Sequence, residues 1–377
     1  MLRFLHTADL QIGKPFNWAG GRAQAQLQEA REEAVSRIGE VAGEHEADFV
    51  LIAGDLFDDN TVGDDVVSRT CERLADIDVP VYILPGNHDF SGSPSCVYRR
   101  DLFREQKPKH VRVLLNRDPV FVGADEPNDA DAVILPAPVE RRHERGDPTR
   151  HIDADLGPEG IPRIGLAHGG VEDFGEGEAT SRIAPSRAET ADLDYLALGD
   201  WHGTKKIGNS TWYAGTPEPD SFKQNDPGNV LVVEVGGAGA TPDVEKVATG
   251  TYDWHRKEAT LQSPEDLKSL ERWFQRLDDP LQALVRLELR GGLGLEAMND
   301  LEALKDRLEN IVLYVRHRGD VQPKASAEEL REIGSGGYVA DTVEALQALS
   351  NGEGEEAQTA DRALQLLYQF HNEEEAS

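Results

Sequence analysis

Two cysteines, Cys71 and Cys96, and two methionines are all the sulfur this 377-residue chain carries. Two cysteines provide no disulfide framework, which suits a reducing cytoplasm. No run of 18 apolar residues occurs, so no transmembrane helix and no membrane association are expected. The opening MLRFLHTADL has too short an apolar stretch for a signal peptide and leads straight into a first strand. No internal repeat is visible. Positive charge is also scarce: 39 Lys plus Arg stand against 70 Asp plus Glu, a net charge of −31, and only 11 of the cations are Lys. The acids are spread along the whole chain rather than gathered in a tail. Such a composition points to adaptation to a salt-rich cytoplasm. At about 1 M salt the Debye length is about 3 Å, so surface self-repulsion is largely screened. In dilute buffer a chain this acidic repels DNA; in molar salt it does not. Net charge therefore neither supports nor excludes a nucleic-acid substrate.

The stretch from residue 47 to 89 organises the rest. It reads ADFVLIAGDLFDDN, a helical segment, then VPVYILPGNHDF. Phe49–Ala53 and Val81–Leu84 are apolar runs of the kind that form buried parallel strands. Each ends abruptly in metal-binding residue types, Gly54-Asp55 after the first and Gly86-Asn87-His88-Asp89 after the second. α/β folds place their chemistry at strand C-terminal ends. Upstream, Leu2–His6 is a strand followed by Asp9 and Gln11. Apolar residues spaced three and four apart predict helices over 22–43 and around Val66–Ala75. The order β, α, β, α, β is a doubly wound half.

After a helix at 96–106 the pattern changes to short strands: Val111–Leu115, Pro119–Val122, Ala132–Leu135, Arg163–Ala167, Tyr195–Leu198, Thr211–Ala214 and Val230–Val235, with a loop over 140–160. They suggest a second sheet packed on the first. The strand to Ala167 ends in His168, and the strand to Leu198 ends in Gly199-Asp200-Trp201-His202. From about 256 a smaller α-β-α-β unit begins. Ser263, Pro264 and Asp266 form a capping-box-like helix start, followed by a strand at Val285–Leu289, a helix around 295–308 and a strand at Ile311–Val315. The remainder, 321–377, is expected to hold two or three helical segments and no strand. After a Gly/Glu-rich linker at Ser350–Glu356, the residues Ala357, Ala360, Leu364 and Leu367 make a narrow apolar seam. That seam either folds back on its own core or docks a helical partner. The resulting division is 1–255, 256–320 and 321–377.

Five strand ends thus carry Asp9 and Gln11, Asp55, Asn87 and His88, His168, and Asp200 and His202. Singly, each is weak: an Asp after a strand is often a helix cap, and a lone His is usually structural. Together they describe phosphodiester hydrolysis. Two divalent ions about 3.5–4 Å apart supply the nucleophile and neutralise the phosphoryl oxygens. One carboxylate must bridge them, and a His outside the ligand set can protonate the leaving oxygen. Mixed oxygen and imidazole donors favour Mn²⁺ over a structural Zn²⁺ site.

The series D-x-(H/Q), GD-x-x-D, GNHD, H-G and G-x-x-H resembles the calcineurin-like metallophosphoesterases. HTADLQIGKPF, AGDLFD, LPGNHD, DYLALGDWHGT and WYAGTPEP resemble, within them, the SbcD and MRE-eleven nucleases of DNA double-strand-break repair. The resemblance covers about residues 1–235. It implies a β-sandwich flanked by helices, with 256–320 as a small α/β capping domain and 321–377 as a helical tail. It implies Asp55 bridging two metal ions, Asp9 and His202 on the first, and Asn87 and His168 on the second. His88 would act as the acid, oriented by Asp89. Two positions depart from the family: Gln11 and Asp200 stand where it usually has His. Either can ligate a hard ion, so the expectation is two Mn²⁺ (or Mg²⁺) with poorer tolerance of Zn²⁺, or else a weakened first site.

Arg99, Arg100, Arg104, Lys107 and Lys109 form a basic island in this acidic chain, as do Arg141, Arg142 and Arg145. Lys205 and Lys206 follow the last metal segment. These are candidate phosphate-backbone contacts; the alternative is surface charges balancing nearby acids. The leading reading is a cytoplasmic Mn²⁺-dependent DNA exonuclease with possible endonuclease activity. The resemblance pairs it with an SbcC-like coiled-coil ATPase of the SMC type and with a second copy as a homodimer. The alternatives are a small-molecule or nucleotide phosphodiesterase on the same scaffold, and a DNA-bridging subunit whose metal site has drifted.

Overall fold

The computed structural model describes residues 1–377 except 125, 144, 154, 172–181, 325–336, 351, 353 and 376–377. The chain divides into two compact units, Met1–Tyr252 and Asp253–Ser377.

The first unit is built on two six-stranded sheets. In one, Leu2–Thr7, Phe49–Ile52, Val81–Ile83 and Val111–Val113 run parallel as neighbours. Asn229–Val235 and Asp243–Ala248 extend this sheet antiparallel beyond the first strand. In the other, Ala132–Ala137, Arg163–His168, Tyr195–Gly199 and Thr211–Tyr213 are parallel neighbours, with Val120–Val122 and Lys205–Lys206 antiparallel at the two edges. Alternation along each strand sends successive side chains to opposite faces. Phe4, Phe49, Leu231 and Val233 meet Ile164, Leu166 and Tyr195 in a core between the sheets. Phe4 stacks on Phe49 at 4.9 Å and meets Tyr195 edge-on at 5.5 Å. Leu5, Val50 and Ile52 face the other way, against Val35 and Ile38 of the helix Gly21–Glu44 and Val67 and Leu74 of the helix Asp64–Ala75. This is a β-sandwich flanked by helices, as the sequence implied.

His6 pins the two sheets together. Its Nδ1 lies 3.0 Å from the Tyr195 hydroxyl and its Nε2 3.2 Å from the Leu198 carbonyl. Burial drives its pKa down to about 3, so the ring is neutral.

The second unit differs from the expected α-β-α-β order. A strand, Asp253–Leu261, precedes the first helix, giving β-α-β-α-β with a three-stranded parallel sheet in the order Asp253–Leu261, Ala283–Leu293, Tyr314–Pro323. The strand DWHRKEATL is an edge strand whose side chains are mostly exposed or half-buried, so it lacks an apolar run to announce it. Asp243–Ala248 in the first unit escaped for the same reason. The last strand starts at Tyr314 and runs to Pro323, so residues 321–323 are strand, against the expectation of none after 321. Leu267, Leu270 and Phe274 of the helix Pro264–Phe274 and Leu301 and Leu304 of the helix Leu295–Ile311 cover the sheet. The expected helix start is present: the Ser263 N–H donates to Asp266 Oδ2 at 2.8 Å.

The tail contains the helices Gly337–Ser350 and Glu355–Glu375. Ala357, Ala360 and Leu364 are buried, and Leu364 and Leu367 pack with Val339, Val343 and Leu346 of the preceding helix. The seam is therefore closed by its own chain rather than open to a partner.

Candidate metal centre

The register of the central strands sets up the site. Thr7 pairs with Ile52, so these two strands end level. The chain segments beyond them stay zippered: Asp9 N–H donates to Gly54 O at 3.1 Å, and Gln11 N–H to Asp55 O at 2.8 Å. In the second sheet His168 pairs with Gly199, which levels that pair of strand ends too. Asp200 N–H then donates to both oxygens of Asp9, at 3.1 and 3.2 Å, and links the two sheets.

The backbone here is strained. Asp9, Gln11, Asp55 and Asp200 all have positive φ, at 54°, 43°, 54° and 100°. Non-glycine residues in this region cost roughly 1–3 kcal/mol each and persist where the surroundings over-determine them. Four candidate ligands share the feature, which marks their placement as enforced. Two glycines allow the close packing. A Cβ on Gly54, whose φ is +95°, would lie 2.1 Å from His168 Nδ1; one on Gly86 would lie 2.1 Å from Asp55 Oδ1.

Asp9, Asp55 and His168 offer donor atoms all within 4.8 Å of one another, and all three are buried. His168 Nε2 is 2.8 Å from Asn87 Oδ1, 3.5 Å from Asp55 Oδ2 and 3.9 Å from Asp200 Oδ1. Its Nδ1 is 2.8 Å from the Ala53 carbonyl, which can only accept, so Nδ1 carries a proton. Nε2 then faces three oxygens that also accept. Either a second proton or a cation must sit there. Burial alone would lower the His168 pKa, but Asp55, Asp9 and Asp200 outweigh it and raise it to about 9. Asp9, fully buried beside Asp55 and Asp200, is pushed up to about 6, with His202 and His168 opposing. A divalent ion would complete this convergence of oxygen acceptors on one buried imidazole nitrogen, and that is the observation by which these donors fit one.

His88 stands beside this cluster. Its backbone N–H donates to Asp55 Oδ1 at 2.9 Å, and its side chain is 27% exposed. Its Nδ1 donates to the Asp58 carbonyl at 2.7 Å, leaving Nε2 as the nitrogen that can take or give a proton. Asp58, not Asp89, therefore orients the ring. Asp89 is buried and occupied elsewhere: it accepts from Gly86 N at 2.7 Å, Phe57 N at 3.1 Å and the Tyr98 hydroxyl. It builds the turn that presents Asn87 and His88.

The Gln11 side is arranged differently. His202 Nδ1 is 2.9 Å from Asp220 Oδ2. Burial would lower the His202 pKa, but Asp220 and Asp9 raise it. Gln11 Nε2 lies 3.4 Å from His202 Nε2, and Gln11 Oε1 accepts from Lys14 Nζ at 2.8 Å. Lys14 is also ion-paired with Asp220.

Sequence reasoning missed Lys14, Asp220 and Arg31. The only cue was their position inside the segments IGKPF and TPEPD and on the first helix. Arg31 is 1% exposed and donates to Leu10 O at 2.6 Å, Asp9 O at 2.8 Å, Thr216 Oγ1 at 3.2 Å and Glu218 O at 3.1 Å. It clamps the loop carrying Asp9 against the segment before Asp220. Of the candidate substrate contacts, Arg100 is committed to structure: it bonds the carbonyls of Val62 and Asn60. Arg99 lines a cavity of about 650 Å³ with Arg104, Lys107, Lys109 and Arg112. Lys205 and Lys206 lie over the rings of Trp201 and Trp212, at 5.1 and 5.3 Å.

A model of the calcineurin-like phosphoesterases matches residues 2–233. The chain belongs to this family. Over 97 residues it is 32% identical to the uncharacterized metallophosphoesterase YhaO of Bacillus subtilis (strain 168). That match spans 24% of this chain and 24% of YhaO, about a quarter of the relative's length. The crystal structure of TT1561 of Thermus thermophilus aligns with a TM-score of 0.40 at 12% identity, over 66% of this chain and 99% of that one. No described helix is long and apolar enough to cross a membrane.

Proposed function

We propose that this metallophosphoesterase is a DNA nuclease, acting on phosphodiesters as the nuclease subunit of a double-strand-break repair complex. The observation that carries the hydrolytic part is the strand-end cluster of Asp9, Asp55, Asn87, His168 and Asp200, with His88 beside it and its Nε2 available. A divalent ion held there supplies Lewis-acid stabilisation of the phosphoryl oxygens, and the oxygen-rich donor set favours Mn²⁺. His88, half-buried and fixed through Nδ1, is placed to protonate a leaving oxygen. The resemblance implies two ions; the five donors named support one of them, and the Gln11 side is a separate question.

DNA as the substrate is favoured by the sequence resemblance and by the basic cavities. Arg99, Arg104, Lys107, Lys109 and Arg112 line one, and Arg117, Arg141, Arg145 and Arg150 line another of about 620 Å³. In a chain of net charge −31, two such concentrations of cations suit a polyanion. The ATPase partner and the homodimer rest on the resemblance. Because Ala357, Ala360 and Leu364 of the seam are buried, the face for a partner helix moves to Leu366 and Phe370, one turn apart and 46% and 62% exposed.

The test is cleavage of linear duplex DNA with Mn²⁺ in molar KCl, comparing wild type with His88→Ser. Cleavage that disappears in the variant, with metal content unchanged, supports the nuclease and places His88 in the chemical step. A wild type that cleaves a nitrophenyl phosphodiester but not DNA, with the ATPase present, would favour the nucleotide or small-molecule phosphodiesterase instead.

A further inference from the structure

The two halves of the site differ in whether their hydrogen bonding is complete. On the His168 side, Nε2 confronts Asn87 Oδ1, Asp55 Oδ2 and Asp200 Oδ1, and nothing in the protein separates these acceptors. On the Gln11 side the amide already has a close neighbour at each end. His202 Nδ1 donates to Asp220 at 2.9 Å, and the Gln11 amide nitrogen lies 3.4 Å from His202 Nε2. The Gln11 amide oxygen, the atom that would bind a metal, accepts from Lys14 Nζ at 2.8 Å. Lys14 in turn is paired with Asp220, whose side chain is 5% exposed. A positive charge therefore stands on the atom that Gln11 would offer to a metal ion.

Lys14 is held there by its loop. Its N–H donates to Gln11 O at 3.2 Å. Gln28 Nε2 donates to the carbonyls of Lys14 and Pro15, at 3.4 and 3.2 Å, and Gln24 Nε2 to that of Pro15 at 2.7 Å. The helix Gly21–Glu44 thus fixes the turn from which the ammonium reaches back to Gln11.

We propose that the Lys14 ammonium replaces one of the two metal ions, so that the chain binds a single divalent ion tightly, among Asp9, Asp55, Asn87, His168 and Asp200. Two contacts would have to break before an ion could use the Gln11 side, Lys14 with Gln11 Oε1 and the amide with His202, and the dication would then stand near the Lys14 cation. The inference rests on the metal-centre reading but not on DNA as substrate.

The test is Mn²⁺ binding by the full chain in molar KCl, followed by isothermal titration and by electron paramagnetic resonance. One tight site per chain, with the six-line spectrum of isolated Mn²⁺, is the expected result. Lys14→Met should tighten the second, weak site at least tenfold. Lys14→Met with Gln11→His should bring the stoichiometry to two and produce the multiline spectrum of a coupled pair. Lys246→Met, which removes an exposed cation paired with Asp226, should leave both readouts at the wild-type values. Two tight ions with a coupled spectrum in the wild type would overturn the role of Lys14 and leave the metal centre standing. No tight ion at all would overturn both. Since the wild-type measurement alone separates these cases, the inference stays testable even where a variant fails to fold.

Discussion

Gly86→Ala isolates the metal centre from the rest of the fold. The backbone at Gly86 lies outside the left-handed region, so alanine meets no conformational penalty there. The obstacle is purely local: the added Cβ would stand 2.1 Å from Asp55 Oδ1 and 2.6 Å from Asp55 N. An ordinary carbon–oxygen contact is about 3.4 Å, so the carboxylate must retreat by roughly 1.3 Å. Metal–ligand distances tolerate only about 0.2 Å. Changes to groups that merely orient a ligand cost about 10–100-fold in metal affinity. Displacing Asp55 itself should cost at least about 100-fold, or about 2.7 kcal/mol. Overpacking should destabilise the fold by about 1–3 kcal/mol, within the reserve of a domain this size. Isothermal titration with Mn²⁺ and urea denaturation of the metal-free protein, both in molar KCl, read the two effects separately. Gly43→Ala is the control: no atom lies within 4 Å of its Cβ, and its position on the helix Gly21–Glu44 should make alanine neutral or stabilising by up to about 1 kcal/mol. A folded Gly86→Ala protein that bound Mn²⁺ within threefold of wild type would refute Asp55 as a ligand.

Arg31→Met should destabilise the metal-free protein by about 3–5 kcal/mol, because it leaves the carbonyls of Asp9, Leu10 and Glu218 without their buried donor; denaturant midpoints check it. Asp58→Ala, which keeps the carbonyl bonded to His88, should leave cleavage within about tenfold of wild type, whereas His88→Ser should lower it by about 100-fold or more; single-turnover rates distinguish them. Above about pH 6.5 the metal-free protein should lose stability as pH rises. His168, at about 9, has a folded pKa above its unfolded one, so the folded state holds an extra proton from about pH 6.5 to 9; between about pH 4 and 6 the raised Asp9, at about 6, is opposed by His6, lowered to about 3. Saturating Mn²⁺ should flatten the upper slope, and thermal melts across that range with and without the ion would show it.

How much of this was legible in the sequence depended on burial. Strands buried on both faces, such as Phe49–Ile52 and Arg163–His168, are apolar throughout and could be read directly. Asp243–Ala248 and Asp253–Leu261 are edge strands with mostly exposed side chains, and nothing in their composition separates them from loop. The metal-binding residue types were readable because they interrupt buried strands abruptly. Their partners were not. His88 is oriented by a backbone carbonyl, that of Asp58, and a carbonyl leaves no trace in residue identity. The resemblance made Asp89 its partner, yet the tight turn sends the Asp89 carboxylate toward Gly86, Phe57 and Tyr98 instead.

The same limit explains Gln11. In the sequence its amide oxygen counts as a donor equal to an imidazole nitrogen, so the ligand count appears to survive the substitution. In three dimensions an amide also carries a donor NH₂ beside its oxygen, and both ends find partners: His202 on one, Lys14 on the other. An imidazole whose second nitrogen is held by a carboxylate points its other nitrogen in one fixed direction, as His202 does through Asp220. The substitution of an amide for an imidazole therefore changes more than ligand strength. It gives a lysine three residues along the chain a place to put its charge, and a centre that would require two metal ions can be neutralised with one ion and one ammonium.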